Sequence, residues 1–179
     1  MGDFNHILEI DENSQIKHFK KGEILQAEGQ KNSSVYYVKK GLLRSYTIDN
    51  KGKEHIITFA SEGWLISNVK LADLDITNKV FIDCIEHSEV IVFDKNHFDL
   101  SKLTNLQLEE NTRLLERRIA VLERRVIMLM SASAKDRYNK FLKTHPELPN
   151  RVPQRMIASY LGITPQSLST IKGEIARKS

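Results

Sequence analysis

Near the end of the chain, Gln166, Thr170, Gly173 and Arg177 fall on one line of a helix, with Ser169 beside them. At 100° per residue, Leu168, Ile171 and Ile175 gather on the opposite face. Small polar side chains and a guanidinium, shown together on one exposed face, are suited to the edges of base pairs. Gln can pair bidentately with adenine, and Thr can offer its hydroxyl or meet a thymine methyl, both in a major groove. Thr164 and Ser167 stand where the helix begins and can contact phosphates, helped by the free backbone N–H groups there. From residue 151 onward there are five Lys/Arg and one Glu, which supplies attraction to phosphate. A small helical hairpin that only closes a core is the competing reading of the same stretch.

Other chemistry finds little support. His6, His18, His55, His87, His97 and His145 show no ligand spacing, so each is expected to be a surface or strand histidine. A cupin-type metal enzyme needs clustered histidines with a carboxylate, whereas His55 has no second His two residues away. Nor is there a Ser/His/Asp or phosphate-loop pattern, so no enzymatic activity is expected. Cys84 is the single cysteine, which excludes a disulfide framework and a cysteine-held zinc or iron–sulfur site; it is expected to be a small buried hydrophobe. No apolar run approaches the roughly 20 residues of a membrane helix. The polar start "MGDFNHILEIDENSQ" is not a signal peptide, so a cytoplasmic protein with no membrane partner is expected.

The elements that must hold the polar face come next. Pro153 opens one short helix and Gly162 ends it, the residue favoured just past a helix C-terminus. Thr164 then caps a second helix with Pro165 at its first position. Two helices joined by a short Gly-containing turn make a helix-turn-helix. Upstream, "SASAKDRYNKFLKTHPEL" gives a further helix capped by Ser133 and closed at Pro146.

Before that lies a long stretch, from about Leu103 to Met130, without Gly or Pro. Leu108, Leu115, Leu122 and Leu129 recur every seven residues, and Thr112, Ile119 and Val126 follow the first three by four. β-Branched residues at a with Leu at d favour a parallel two-stranded coiled coil, with Arg118 at g able to meet Glu123 at e of the other chain. The dimer interface is therefore expected at Leu108, Leu115, Ile119, Leu122, Val126 and Leu129. Leu114 and Val121 widen the stripe, so one side could also lie on the sandwich.

The first hundred residues are punctuated by Gly22, Gly29, Gly41, Gly52 and Gly63, spaced 7, 12, 11 and 11 apart. Short strands with turns at such intervals indicate an antiparallel sandwich or barrel, all-β up to about residue 94. "DNKGK" is a hairpin turn and "VFIDCIEHSEVIVF" two more strands. In "VYYV" both alternating sets are apolar, so neither is assigned to the core. Charge divides along the same line. Residues 1–104 hold 13 Lys/Arg against 16 Asp/Glu, and residues 105–179 hold 14 against 7. The basic half suggests a nucleic-acid or membrane-surface partner.

Taken in order, "EIL..EG", "VKKGLLR", "KGKEHIITF" and "IASYLGIT" make nearly the whole chain resemble the Crp–Fnr family of bacterial transcription regulators. The resemblance implies an α+β protein: a cyclic-nucleotide-binding-like antiparallel β-roll over 1–104, a long dimerisation helix over 105–131 and a winged helix-turn-helix over 132–179. Because the chain stops at Ser179, the wing is expected to be truncated. In the family, the second, third and sixth residues of the recognition helix touch DNA, here Gln166, Ser167 and Thr170. Aligned by eye, the positions that hold a cyclic phosphate are Ser67-Asn68 and Asn78-Lys79.

Those four residues lack the family's Arg fork and Glu acceptor, and the polar pair on the central helix is replaced by Leu122-Glu123. Both changes argue against cyclic AMP, leaving the effector unknown. Pro165 and Thr170 stand where some members read DNA through Arg, so their operators do not transfer. Trp64 is expected to fill part of the β-roll. The expected partners are double-stranded DNA, a second copy of the chain and RNA polymerase. A ligand-binding or scaffold module whose helix-turn-helix no longer touches DNA is the alternative.

Overall fold

The β-branched and aromatic runs between the glycines form strands, as their composition requires. The computed structural model describes residues 15–27, 34–67, 80–94 and 104–177, apart from the side chains of Asp94, Asn111, Leu114 and Arg118. The chain divides into two units, 1–103 and 104–179.

The first unit's described strands are β1 (Gln15–Phe19), β2 (Ile24–Gln26), β3 (Ser34–Lys40), β4 (Leu43–Ile48), β5 (Glu54–Ala60), β6 (Leu65–Ser67), β7 (Phe81–Cys84) and β8 (Ser88–Asp94). They pair antiparallel in two four-stranded sheets, ordered β1-β8-β3-β6 and β2-β7-β4-β5. Neighbours in each sheet are mostly distant in sequence, as in a roll. Tyr36 and Val38 of β3 are buried and join Leu43, Ile82, Cys84 and Val90 in one apolar core. The tie left by the "VYYV" alternation is thereby broken: Tyr36 points inward, and its hydroxyl donates to the Leu25 carbonyl at 3.0 Å. Cys84 is buried in this core, and burial pushes its thiol up to about 11.

Turn chemistry fixes the register. In the β4–β5 hairpin, Asp49 Oδ1 accepts from the Lys51 and Lys53 amides at 2.9 and 3.0 Å, and Gly52 adopts φ +76°. His55, then the Lys53 and Lys51 amides, hold the Asp49 carboxyl down to about 2. At Gly41, with φ +102°, a Cβ would stand 2.7 Å from both the His87 carbonyl oxygen and Ser88 Cα. Only glycine lets the β3–β4 turn approach the β7–β8 link so closely.

One expectation is corrected here. Trp64 does not fill the roll: it is 44% exposed. It ends a tight turn in which its N–H donates to Ser61, and its carbonyl accepts from Val38 N–H at 2.9 Å. The backbone is thus tied to β3 just before β6 begins, and Ile66, 3% exposed, takes the inward place.

The second unit contains helices α1 (Asn105–Ser131), α2 (Ala134–Thr144), α3 (Leu148–Arg151), α4 (Gln154–Leu161) and α5 (Pro165–Ala176). Thr104 and Gln107 close α1 with a reciprocal capping box, and the Ser133 hydroxyl accepts from the Asp136 amide to cap α2. The single turn of α3 was not separable in the sequence from the segment around it. Pro153 stands one position outside α4 rather than within it. Tyr138, Phe141, Leu148, Ile157, Leu161 and Leu168 are buried in this unit. No helix among the described residues is long and apolar enough to cross a membrane.

Candidate nucleic-acid interface

The polar face of α5 is built by the turn before it. Gly162 takes the left-handed conformation, φ +66° and ψ +34°, and Ile163 N–H donates back to the Ala158 carbonyl at 3.0 Å. This is the glycine closure that ends a helix and turns the chain sharply. Thr164 then caps α5, its hydroxyl accepting from Ser167 N–H at 3.1 Å and sharing a 2.8 Å hydrogen bond with the Ser167 hydroxyl. Leu168 and Ile171 are buried, whereas Gln166, Ser167, Ser169, Thr170 and Arg177 are all exposed.

The geometry refines which atoms remain available. The Thr164 and Ser167 hydroxyls hold each other, Ser167 N–H is taken by Thr164 and Pro165 has none, so the α5 terminus offers the Gln166 N–H more readily than these side chains. Thr170 Oγ1 donates to the Gln166 carbonyl at 3.2 Å, leaving its methyl group and a lone pair outward. The Gln166 amide and the Arg177 guanidinium reach solvent from the same face.

Two arginines that sequence reasoning missed hold the turn in place. Arg137 Nη1 donates to the Leu161 carbonyl at 3.0 Å, and its Nε donates to Ala132 at 3.0 Å. Arg125 of α1 donates from Nη2 to the Tyr160 carbonyl at 3.2 Å and stacks over the Tyr160 ring at 4.2 Å. Cations on the last carbonyls of α4 favour its C-terminal dipole end. They also tie α1 to the helix-turn-helix. No spacing rule could have found them, since their partners lie 24 and 35 residues away.

Along α1, Leu115, Ile119, Leu122 and Val126 are each more than half exposed and Leu108 is 39% exposed, so the heptad stripe is open on a single chain. Leu129 is less open; its Cδ2 would stand 3.4 Å from a Cβ placed on Gly162. Val121 faces a depression shared with α2 and α4. The Leu114 and Arg118 side chains lie outside the described residues.

Of the four residues aligned with a phosphate-binding site, Ser67 ends β6 opposite Val35 and is half-buried. Asn68, Asn78 and Lys79 lie outside the described residues, as do Gly29, His6 and His97. Among the described residues, no group of three His, Cys, Asp or Glu could hold a metal ion. A cysteine-held cluster does not fit this chain, whose single thiol sits in the apolar core.

His145, at the end of α2, packs with its ring tilted against Phe141 and edge-on to Tyr160. Burial pushes its imidazole below the ordinary value, against the pull of Glu147. The neutral ring is therefore the folded form. Stability from this site is full above the ordinary histidine value of about 6.5 and is lost as pH falls through it. Urea melts at pH 8 and pH 5 should show a drop that His145→Gln reduces; an equal drop in both proteins would remove His145 as its source.

The described chain thus consists of a β-roll, a long helix with an open leucine stripe and a helix-turn-helix with a polar outer face. The sequence profile of the cyclic nucleotide-binding domain matches residues 16–100. A fumarate and nitrate reduction regulatory protein from Yersinia pestis is 26% identical, covering 91% of this chain and 69% of its own length. An anaerobic regulatory protein from Haemophilus influenzae is 23% identical over 90% of this chain and 66% of its own. This chain thus spans about two thirds of those relatives. Among solved structures, FixK2 from Bradyrhizobium japonicum matches with a TM-score of 0.73 at 20% identity, covering 92% of this chain and 85% of that one. A CRP/FNR-family transcriptional regulator from Thermus thermophilus matches at 0.72 and 17% identity, with 92% and 87% covered. The chain is thus similar to these regulatory proteins along nine tenths of its length and shares the fold of the solved structures.

Proposed function

We propose that the protein regulates transcription by binding duplex DNA as a homodimer, one α5 helix from each copy entering successive major grooves. The observation that carries this is the α5 surface: an exposed amide, hydroxyls and guanidinium on one face, buried Leu168 and Ile171 on the other. Gln166 and Thr170 meet base edges, with Ser169 beside them. The Gln166 N–H at the start of α5 and the Arg177 guanidinium meet phosphates and set the register. Pairing along Leu108, Leu115, Ile119, Leu122, Val126 and Leu129 places the two α5 helices about 34 Å apart, one turn of the duplex.

The β-roll is the effector unit, with Ser67, Asn68, Asn78 and Lys79 at the site the family uses, or it has lost sensing. The missing Arg–Glu pair argues against cyclic AMP as its ligand. An effector would act by shifting the central helices and hence the spacing of the recognition helices. RNA polymerase is the expected partner at a promoter, in the cytoplasm.

Selection from random duplexes, followed by gel shift at two salt concentrations, tests this reading. A pseudo-palindromic site and a steep loss of affinity with salt are expected; binding with neither property ends it. On the selected site, Gln166→Ala should weaken binding by about 1–3 kcal/mol and relax preference at one base pair per half-site. Arg177→Ala should weaken all sequences alike and reduce the salt slope by about 1 per copy. If the double variant binds as the parent does, α5 does not read DNA.

A further inference from the structure

Val121, Ile127 and Met128 are apolar side chains of α1 that lie off the dimer stripe. With Leu122 at d, Val121 and Met128 fall at c and Ile127 at b, positions that a paired helix turns away from its partner. Val121 is 52% exposed and Ile127 62%. Coiled coils place polar residues there, so pairing with a second copy does not account for them.

These residues line a trench. At one end is a cavity of about 160 Å³ between α1, α2 and α4, with Val121, Met128 and Phe141 among its apolar walls. Among the described residues its cations are Arg124, Arg125 and Lys140, and no carboxylate lines it. Arg125 is held by its stacking on Tyr160 and its bond to the Tyr160 carbonyl. An adjoining depression shares Arg124, Met128 and Lys140 and continues past Ile127 to Ser131. Its one acid, Asp136, is engaged by the Ser133 hydroxyl at 2.6 Å.

From Val121 to Ser131 the helix rises roughly 15 Å. That is the length of four or five extended residues at about 3.3 Å each. The cavity is well below the roughly 300 Å³ at which small-molecule sites begin, and suits a single large side chain. An elongated groove with an apolar socket and a rim of one sign matches a short chain of the opposite sign.

We propose that this trench receives an acidic peptide segment of a partner protein, with one bulky apolar residue in the cavity and carboxylates on Arg124 and Lys140. Because the trench lies opposite the leucine stripe, a dimer would present two of them. The site is separate from the polar face of α5, and the proposal does not depend on how that face is used.

The test is fluorescence anisotropy of the full-length protein with a fluorescein-labelled, amidated peptide of sequence Asp-Glu-Phe-Glu-Asp. Saturable binding is expected, at least tenfold tighter than for the same peptide with Gly in place of Phe or with Lys in place of every acid. Val121→Glu should weaken it at least tenfold. The double variant Arg124→Glu with Lys140→Glu should lose the acidic peptide and gain the lysine-bearing one, an exchange that misfolding cannot produce. Equal binding of the lysine peptide by the parent protein, or no effect of Val121→Glu, would overturn the proposal. So would displacement of the acidic peptide by an unlabelled duplex, which would assign the cations to the nucleic-acid face.

Discussion

Leu115→Glu combined with Leu122→Glu is expected to turn a dimer into a monomer and to weaken duplex binding by at least a hundredfold. Both leucines lie more than half exposed on the single chain, 59% and 56%, so pairing is what would bury them. Fully burying a leucine is worth about 1.5–3 kcal/mol, and roughly half of that remains to be gained at each. Over both residues in both copies this is roughly 3–6 kcal/mol, or two to four decades in the dimer constant. The carboxylates add to the loss, because a seam cannot solvate them.

Duplex affinity falls with dimerisation because each copy carries one α5. Two linked half-site contacts exceed one by about 10²–10⁴ through effective concentration alone. The helix itself should survive, since Glu is a good helix former and the Thr104–Gln107 capping box is untouched. Sedimentation velocity at micromolar concentration reads the first effect and gel shift on the selected duplex the second. A variant that still sediments as the parent dimer would show that the leucine stripe is not the seam.

The parts of this molecule that were legible in advance are those set by local chemistry. Gly162, Thr164 and Pro165 announced the end of one helix and the start of the next within four residues, because capping depends on neighbours in the chain. The seven-residue repeat gave the long helix, and the glycine spacing gave the strands. What stayed hidden is non-local. Trp64 looked like core by its type, yet a backbone bond to Val38 turned it outward. Arg125 and Arg137 looked like solvated helix charges, yet they hold carbonyls of α4. The polar face of α5 was readable residue by residue, but not that Thr164 and Ser167 would occupy each other's hydroxyls.

The largest effect expected in the first unit also comes from a pairing that no spacing announces. Arg44 of β4 and Asp83 of β7 are neighbours in the sheet register, 6% and 7% exposed. Two bonds join them, Nε to Oδ1 at 2.7 Å and Nη2 to Oδ2 at 2.8 Å. The guanidinium also meets Glu54 at 2.5 Å and lies over the Tyr46 ring at 4.1 Å. Burial disfavours the charge, but the Asp83 and Glu54 carboxylates outweigh it and raise the Arg44 value further above its ordinary one. Asp83→Ala therefore leaves the buried cation with the partly exposed Glu54 carboxylate as its ion-pair partner, a change that costs about 3–5 kcal/mol. For a unit of this size each kcal/mol is worth about 4–8 °C, so the melting temperature should fall by at least about 12 °C.

Glu54 is the control, because its side chain is 41% exposed and water already competes for it. Glu54→Ala should cost less than about 1 kcal/mol. Replacing the whole pair, Arg44→Met with Asp83→Leu, should recover most of what Asp83→Ala loses, since no buried charge is then left without a partner and the half-exposed Glu54 carboxylate is solvated. Thermal melts of the three variants rank the effects directly. If Asp83→Ala melts no lower than Glu54→Ala, water reaches the guanidinium and the pair is not the tie between β4 and β7 that its geometry indicates.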